Sequence, residues 1–92
     1  MKPASPDPAG VIDPQALALS ALGWVLGDGA RADRLLALTG ITPDELRSGL
    51  GNPAILGAVL DFLLGHEADL LAAADALDVA PQSFASARAR LA

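Results

Sequence analysis

The 92-residue chain has no cysteine, which excludes disulfide bonds, thiolate nucleophiles and the common structural zinc sites. It also has no apolar run of the roughly 20 residues that a membrane-spanning helix needs, because Asp61 interrupts the longest one, residues 54–64. Aromatic residues make up only 3% of the chain. We therefore predict no metal site and no membrane partner.

Basic residues are scarce as well, with six Lys and Arg against eleven Asp and Glu and a formal net charge of −5. An acidic surface repels nucleic acid and anionic membranes at long range, so nucleic acid is not expected as a partner. Lys2 precedes a stretch rich in Pro and Asp instead of the apolar segment of a secretory signal. A cytoplasmic location is the expectation that follows.

Leucine and alanine supply most of the hydrophobic residues, which are 52% of the chain. Both favour helices because their side chains lose little rotamer freedom there, and no segment shows the two-residue alternation of a strand. The sequence therefore predicts an all-α fold, a compact bundle of five to six short helices. Residues 1–12 are predicted to be a flexible N-terminal tail, and residues 13–92 a single helical domain.

Capping residues followed by proline mark several helix starts, and glycines mark several helix ends. The cap–proline pairs are Asp13 with Pro14, Thr42 with Pro43 and Asn52 with Pro53. Asp28 is a further cap, and Gly40 is the expected left-handed stop of the helix that Asp28 begins. The predicted helices are residues 14–26, 29–38, 43 to about 49, 53–64, about 67–77, and 81 to the end.

The third helix has the most complete start signal. Thr42 precedes Pro43, and Glu45 lies three residues after the cap, which completes a capping box. Ile41 and Leu46 stand at the two positions of a hydrophobic staple. The sequence therefore places the start of this helix at Pro43.

The two halves of the chain resemble each other when they are aligned so that Gly27 matches Gly65 and Pro43 matches Pro81. Both halves show the same order of signals: a glycine that ends a helix, an apolar residue, a cap position, a proline and a hydrophobic staple. This shared order predicts two pseudo-repeated three-helix units. Ala80 stands at the second cap position and cannot cap, so helix six should be anchored less firmly at its start. The alternative is that helical hairpins in any Leu- and Ala-rich chain look alike.

No constellation of side chains supports catalysis. His66 is the only histidine, and Glu67 and Asp69 are not spaced to converge with it on one helix. Acids at a helix start suit the helix dipole without any further role. The serines have no neighbouring histidine and no strand-to-helix elbow. We predict no catalytic, cofactor-binding or metal-binding residue, and no small-molecule substrate.

Residues 40–46 resemble the turn before the recognition helix of a helix-turn-helix protein. The same glycine stop, cap and staple builds any helical corner. The helix that follows carries Asp44 and Glu45 with a single base, Arg47, and carboxylates oppose binding to phosphates. DNA binding is therefore an alternative to the main prediction.

Small residues form a narrow stripe on helix one and again on helix four, and small side chains let two backbones approach closely. The stripes are Ala16, Ser20, Gly23 and Gly27, and Ala54, Ala58, Asp61 and Gly65. Helix four is otherwise apolar all round, which predicts a central, largely buried helix. Asp61 then lies on an exposed strip, accepts hydrogen bonds inside the fold or contacts another chain. Gly23, Asp61 and Gly65 are the predicted interaction residues.

The strings Leu35–Arg47 and Val59–Leu64, together with Leu22–Leu26, resemble the family called domain of unknown function 3572. The resemblance covers about residues 16–91, and the segment Gly65–Glu67 departs slightly from the acidic residue usual before the fifth helix. It implies a short, intracellular, helical bacterial protein, mainly of alphaproteobacteria, with no assigned activity.

These observations favour a non-enzymatic protein-interaction or adaptor module. Its expected partner is another protein or a second copy of the chain, and no cofactor is expected. A divergent helix-turn-helix DNA-binding protein is one alternative. An enzyme is the other, and the residues favour it least.

Overall fold

The computed structural model describes residues 13–91, which form six α-helices with no strand among them. The helices are α1 (Pro14–Leu26), α2 (Gly29–Thr39), α3 (Pro43–Ser48), α4 (Pro53–Leu64), α5 (Glu67–Leu77) and α6 (Gln82–Arg90). The prediction of an all-α bundle is confirmed. The predicted tail, residues 1–12, lies outside the described residues.

The centre of the bundle is the pair formed by α1 and α4. Each packs against the other and also against α2, α5 and α6. The side chains of this pair that are entirely buried are Ala18, Ala21, Val25, Leu56, Val59, Leu60 and Leu63. The two alanines add little bulk, so the leucines of α4 reach close to the α1 backbone. Helix four is central and mostly buried, as its all-round apolar sequence predicts.

The predicted caps form hydrogen bonds to the free amides of four helix starts. Thr42 Oγ1 accepts from the Glu45 amide at 3.1 Å, and Glu45 Oε1 accepts from the Thr42 amide at 2.9 Å, so the capping box is complete. The other capping side chains are Asp13, Asp28 and Asn52. Local hydrogen bonding therefore fixes where α1 to α4 begin.

The boundaries of α2 and α5 follow the alignment of the two halves. The alignment that matches Gly27 with Gly65 also matches Gly29–Thr39 with Glu67–Leu77, which are the full extents of these two helices. Gly40 ends α2 in the left-handed conformation with φ 74°, and Asp78 ends α5 in the same region with φ 58°. Glycine adopts this conformation without strain, whereas aspartate is one of the few other residues that tolerate it.

The two halves differ at their third helix. α6 has nine residues and packs against both α1 and α4, whereas α3 has six and shares none of these principal contacts. α6 also starts at Gln82, one residue later than predicted. Its first turn is closed by bonds from the Ser83 amide to the Ala80 carbonyl and from the Phe84 amide to the Pro81 carbonyl, and no side chain caps it.

The small-residue stripe of α1 does not mediate helix packing inside the fold. Ala16, Ser20, Gly23 and Gly27 are all exposed, and the opposite side of α1 faces the core. The stripe therefore remains a predicted contact face for another chain. An α1 that is apolar on nearly every side carries no signal that tells its inner face from its outer one.

A close approach occurs instead at Gly49, which is buried in the turn between α3 and α4. A Cβ atom there would lie 2.7 Å from Ile55 Cγ1 and 2.8 Å from the Glu45 carbonyl oxygen. Only glycine therefore lets α3 end where it does and α4 begin directly afterwards.

Replacing Thr42 with alanine should lower the free energy of unfolding by about 1 kcal/mol, because the Glu45 amide loses its acceptor. Thr42→Ser keeps the hydroxyl and should stay within a few tenths of wild type. Urea denaturation of the two variants measures the difference. Equal losses for both would show that the hydroxyl contributes nothing.

Gly49→Ala should destabilise the domain by about 1–3 kcal/mol, since the Ile55 side chain and the α3 backbone cannot both move away. Gly51→Ala, in the same turn, is the matched control because no atom lies within 4 Å of its added methyl group. Thermal melts of both variants test the contact. If Gly51→Ala is the more damaging change, the packing of this turn differs from the structure.

Candidate functional site

A groove lined almost wholly by leucine lies where α1, α2 and α3 meet, and we call it the leucine groove. Its volume is about 280 Å³. Its leucines are Leu22, Leu26, Leu36, Leu46 and Leu50, and its other lining residues are Pro43 and Arg47. Two of these leucines are nearly half exposed, Leu26 at 46% and Leu50 at 45%. Exposed leucines that share one concave surface are typical of binding sites.

The groove exists because α3 is short. α3 ends at Ser48, so it covers the leucines of α1 and α2 only with Leu46 and the start of the following turn. At the aligned positions of the second half, Leu60 and Phe84 are completely buried, and their counterparts Leu22 and Leu46 are buried as well. Leu64, which aligns with Leu26, is also exposed. The halves differ at Leu50, which is exposed and aligns with Arg88.

The outer side of α1 continues the apolar surface beyond the groove. Residues 13–27 contain a single charged residue, the capping Asp13, and α1 itself has none. Leu19 and Leu26, one heptad apart, are both exposed on this side, and Gly23 lies between them with open space around its Cα. Of the predicted interaction residues, Gly23 is thus accessible to a partner.

Asp61 is exposed and forms an ion pair inside the fold. Arg88 Nε donates to Asp61 Oδ1 at 2.9 Å, which joins α6 to α4. The guanidinium passes over Gly57, where an added Cβ would lie 3.0 Å from Arg88 Cζ. Two of the roles considered for Asp61 therefore hold together, since it lies on the exposed strip of α4 and bonds within the fold.

Asp61 and His66 line one shallow groove of about 330 Å³ together with Leu38, Thr39, Ala58 and Phe62. His66 Nδ1 lies 2.7 Å from the Phe62 carbonyl oxygen. Because a carbonyl oxygen only accepts, Nδ1 donates its hydrogen there. Gly65 ends α4 next to this groove, whereas Gly23 is not among its lining residues. The three predicted interaction residues therefore do not share one groove.

Trp24 and Arg31 form a contact that the sequence did not indicate. The Arg31 guanidinium lies over the indole, 3.7 Å from the ring centroid, and donates to the Trp24 carbonyl oxygen at 2.6 Å. The same carbonyl also accepts from the Gly27 amide at 3.2 Å, so Arg31 adds a second hydrogen bond at the end of α1 and covers the aromatic ring. The two residues lie across the turn at Gly27, so no helical spacing relates them.

The arginines of the described residues are all engaged. Arg34 pairs with Asp69 at 2.7 Å, Arg47 with Asp44 at 2.6 Å and Arg88 with Asp61. Arg31 covers Trp24, and Arg90 also has an interaction. Several acids, Asp33 among them, form no ion pair within residues 13–91. Among the described residues, the charged side chains that form no ion pair are therefore mostly acidic. The one base of α3, Arg47, is already paired and is not available to a phosphate.

No cluster of three metal-ligating side chains occurs within residues 13–91. None of the described helices has the length and apolar character required to pass through a bilayer.

A family model described as "Protein of unknown function (DUF3572)" matches residues 12–92 of the chain. This match agrees with the resemblance that the motifs indicate. Nothing among curated proteins or solved structures matches the chain.

The Asp61–Arg88 pair should contribute little to stability, because both side chains are more than a third exposed and exposed ion pairs couple by about 0.2–1 kcal/mol. A double-mutant cycle with Asp61→Ala and Arg88→Ala, followed by urea denaturation at low and high salt, measures the coupling. A coupling well above this range would mean that the pair is shielded from water.

Proposed function

Since the chain belongs to the DUF3572 family, whose description assigns no activity, we propose a function from the surface of the domain itself. The domain is a non-enzymatic module that binds another protein through the leucine groove. The proposal rests on one observation: Leu26 and Leu50 stand half exposed at the rim of an apolar groove next to an α1 without charge.

The apolar lining and the volume of the groove support a protein partner. A single exposed leucine is ordinary, but leucines from three elements that converge on one groove form a contiguous apolar patch. The groove of about 280 Å³ holds one aromatic or one or two aliphatic side chains. Anchors of this kind dominate the binding energy of protein interfaces.

The alternatives find less support. The grooves offer few convergent polar groups for chemistry on a substrate, and Arg47, the one base on α3, is paired with Asp44. DNA binding requires several cations aimed at phosphates, whereas the described arginines are engaged.

A photoreactive amino acid at position 50 should form a covalent adduct with the partner in living cells. The same amino acid at position 71 is the control, because Leu71 is 48% exposed and lies outside the leucine groove. We expect an adduct from position 50 that is at least tenfold stronger than from position 71. Leu26→Glu, which puts a charge into the groove, should abolish the adduct from position 50.

Equal adducts from positions 50 and 71 would contradict the proposal, because labelling would then depend on exposure alone. No adduct at either position would contradict it as well. An adduct with twice the mass of the chain would identify a second copy as the occupant. Circular dichroism melts confirm that Leu26→Glu leaves the fold intact, as expected for a side chain already half in solvent.

A further inference from the structure

We infer that the outer side of α1 binds a second copy of the chain, in a parallel pair of α1 helices related by a two-fold axis. The contact surface is the row of exposed residues on this side, which we call the α1 seam. Its residues are Ala16, Leu19, Ser20, Gly23, Leu26 and Gly27. The inference goes beyond the proposed function, because only Leu26 of this row also lines the leucine groove.

The absence of charge on α1 favours a second copy as the occupant. Among the six described helices, only α1 has no charged side chain. In a two-fold pair each surface meets its own counterpart, so a charged surface would meet the same charge again. The whole chain carries a net charge of −5, and the α1 seam is free of this repulsion. A strongly charged partner, in contrast, finds no opposite charge on it.

The exposed leucines of α1 follow the spacing of a coiled coil. Leu19 and Leu26 are one heptad apart and are 38% and 46% exposed. Ala16 and Gly23 precede them by three residues and are exposed as well. Small residues and leucines therefore occupy the a and d positions of two successive heptads. The bundle leaves this side of α1 uncovered, although its spacing suits a partner helix.

A parallel pair fits the leucines of one copy against the small residues of the other. In a parallel coiled coil, a d residue inserts among two a residues, a d residue and an e residue of the facing helix. For Leu19 these four are Ala16, Leu19, Ser20 and Gly23 of the second copy. A Cβ placed on Gly23 would have no atom within 4 Å, so the two backbones can approach closely there.

A second groove provides space beside the inserted leucine. Its volume is about 220 Å³, and it is lined by Ala16, Leu17, Ser20, Leu77 and Val79. Ala16 and Ser20 belong to both this groove and the α1 seam. Leu19 of the second copy therefore arrives at the edge of an apolar depression and not at a packed surface.

The length of the seam indicates a weak dimer. α1 has 13 residues, which make a helix about 20 Å long. A contact along one such helix buries less than the roughly 800 Å² per partner of a standard interface. We therefore expect monomer and dimer in equilibrium, with the proportion of dimer rising with concentration.

Sedimentation equilibrium of the full-length chain, from micromolar to millimolar concentration, tests the dimer. The average mass of wild type should rise towards twice the monomer mass. Gly23→Glu, which puts a charge at the centre of the seam, should stay monomeric throughout. Its melting temperature at low concentration should equal or exceed that of wild type, because the site is open and glycine is the poorer helix former. Ala72→Glu, the same charge at an exposed position of α5, should dimerise like wild type.

Leu50→Glu separates this inference from the proposed function, because it changes the leucine groove and leaves the seam intact. It should dimerise like wild type. A dimer that is lost in Leu50→Glu and kept in Gly23→Glu would place the second copy in the groove and overturn the inference. A wild type that stays monomeric at every concentration would overturn it as well.

Single cysteines test the parallel arrangement, and the chain has no cysteine of its own to interfere. Under mild oxidation, Ala16→Cys and Gly23→Cys should form disulfide-linked dimers at least tenfold faster than Ala72→Cys, since equivalent a positions lie close together in a parallel pair. In an antiparallel pair the two copies of residue 16 lie far apart, so dimers from Gly23→Cys alone would overturn the parallel arrangement. Equal rates at all three positions would contradict the seam itself.

Discussion

The contact between α1 and α4 is the constraint on which the rest of the structure depends. α1 has no charged residue and α4 has only Asp61, so both helices must be covered on most sides to remove their apolar surface from water. Burial of Ala18 and Ala21 against the leucines of α4 joins them directly. α2, α5 and α6 are then needed as a surrounding layer.

The order of the helices could be predicted from sequence because their ends are determined locally. A capping side chain, a proline at the first helical position and a left-handed glycine act within three or four residues, and each is visible in the sequence at Thr42, Pro43 and Gly40. The box between Thr42 and Glu45 forms as its spacing indicates. The alignment of the two halves also agrees with the structure, since α2 and α5 begin and end at aligned residues.

The burial of each helix face could not be predicted in the same way. Periodicity identifies an inner face only where polar residues mark the outer one, and α1 offers Gln15 and Ser20 alone. Only the structure shows that the small-residue stripe of α1 faces solvent. Contacts between distant residues, such as Arg88 with Asp61, depend on how the helices assemble. The leucine groove was missed for the same reason, because its residues come from three separate helices and the turn after α3.

The two halves of the bundle differ in the length of their third helix. The two units share the same helix start and stop signals but end differently, because α6 has nine residues and α3 has six. Gly49 makes the stop of α3 possible, because it has no side chain that would clash with Ile55 and the Glu45 carbonyl. The chain can therefore turn at once and begin α4. The consequence is energetic as well as geometric, because Leu26 and Leu50 keep apolar area in water that a covering helix would bury at roughly 25 cal/mol per Å². The partner that we propose for the groove would bury this area, and without it Leu26 and Leu50 stay in contact with water.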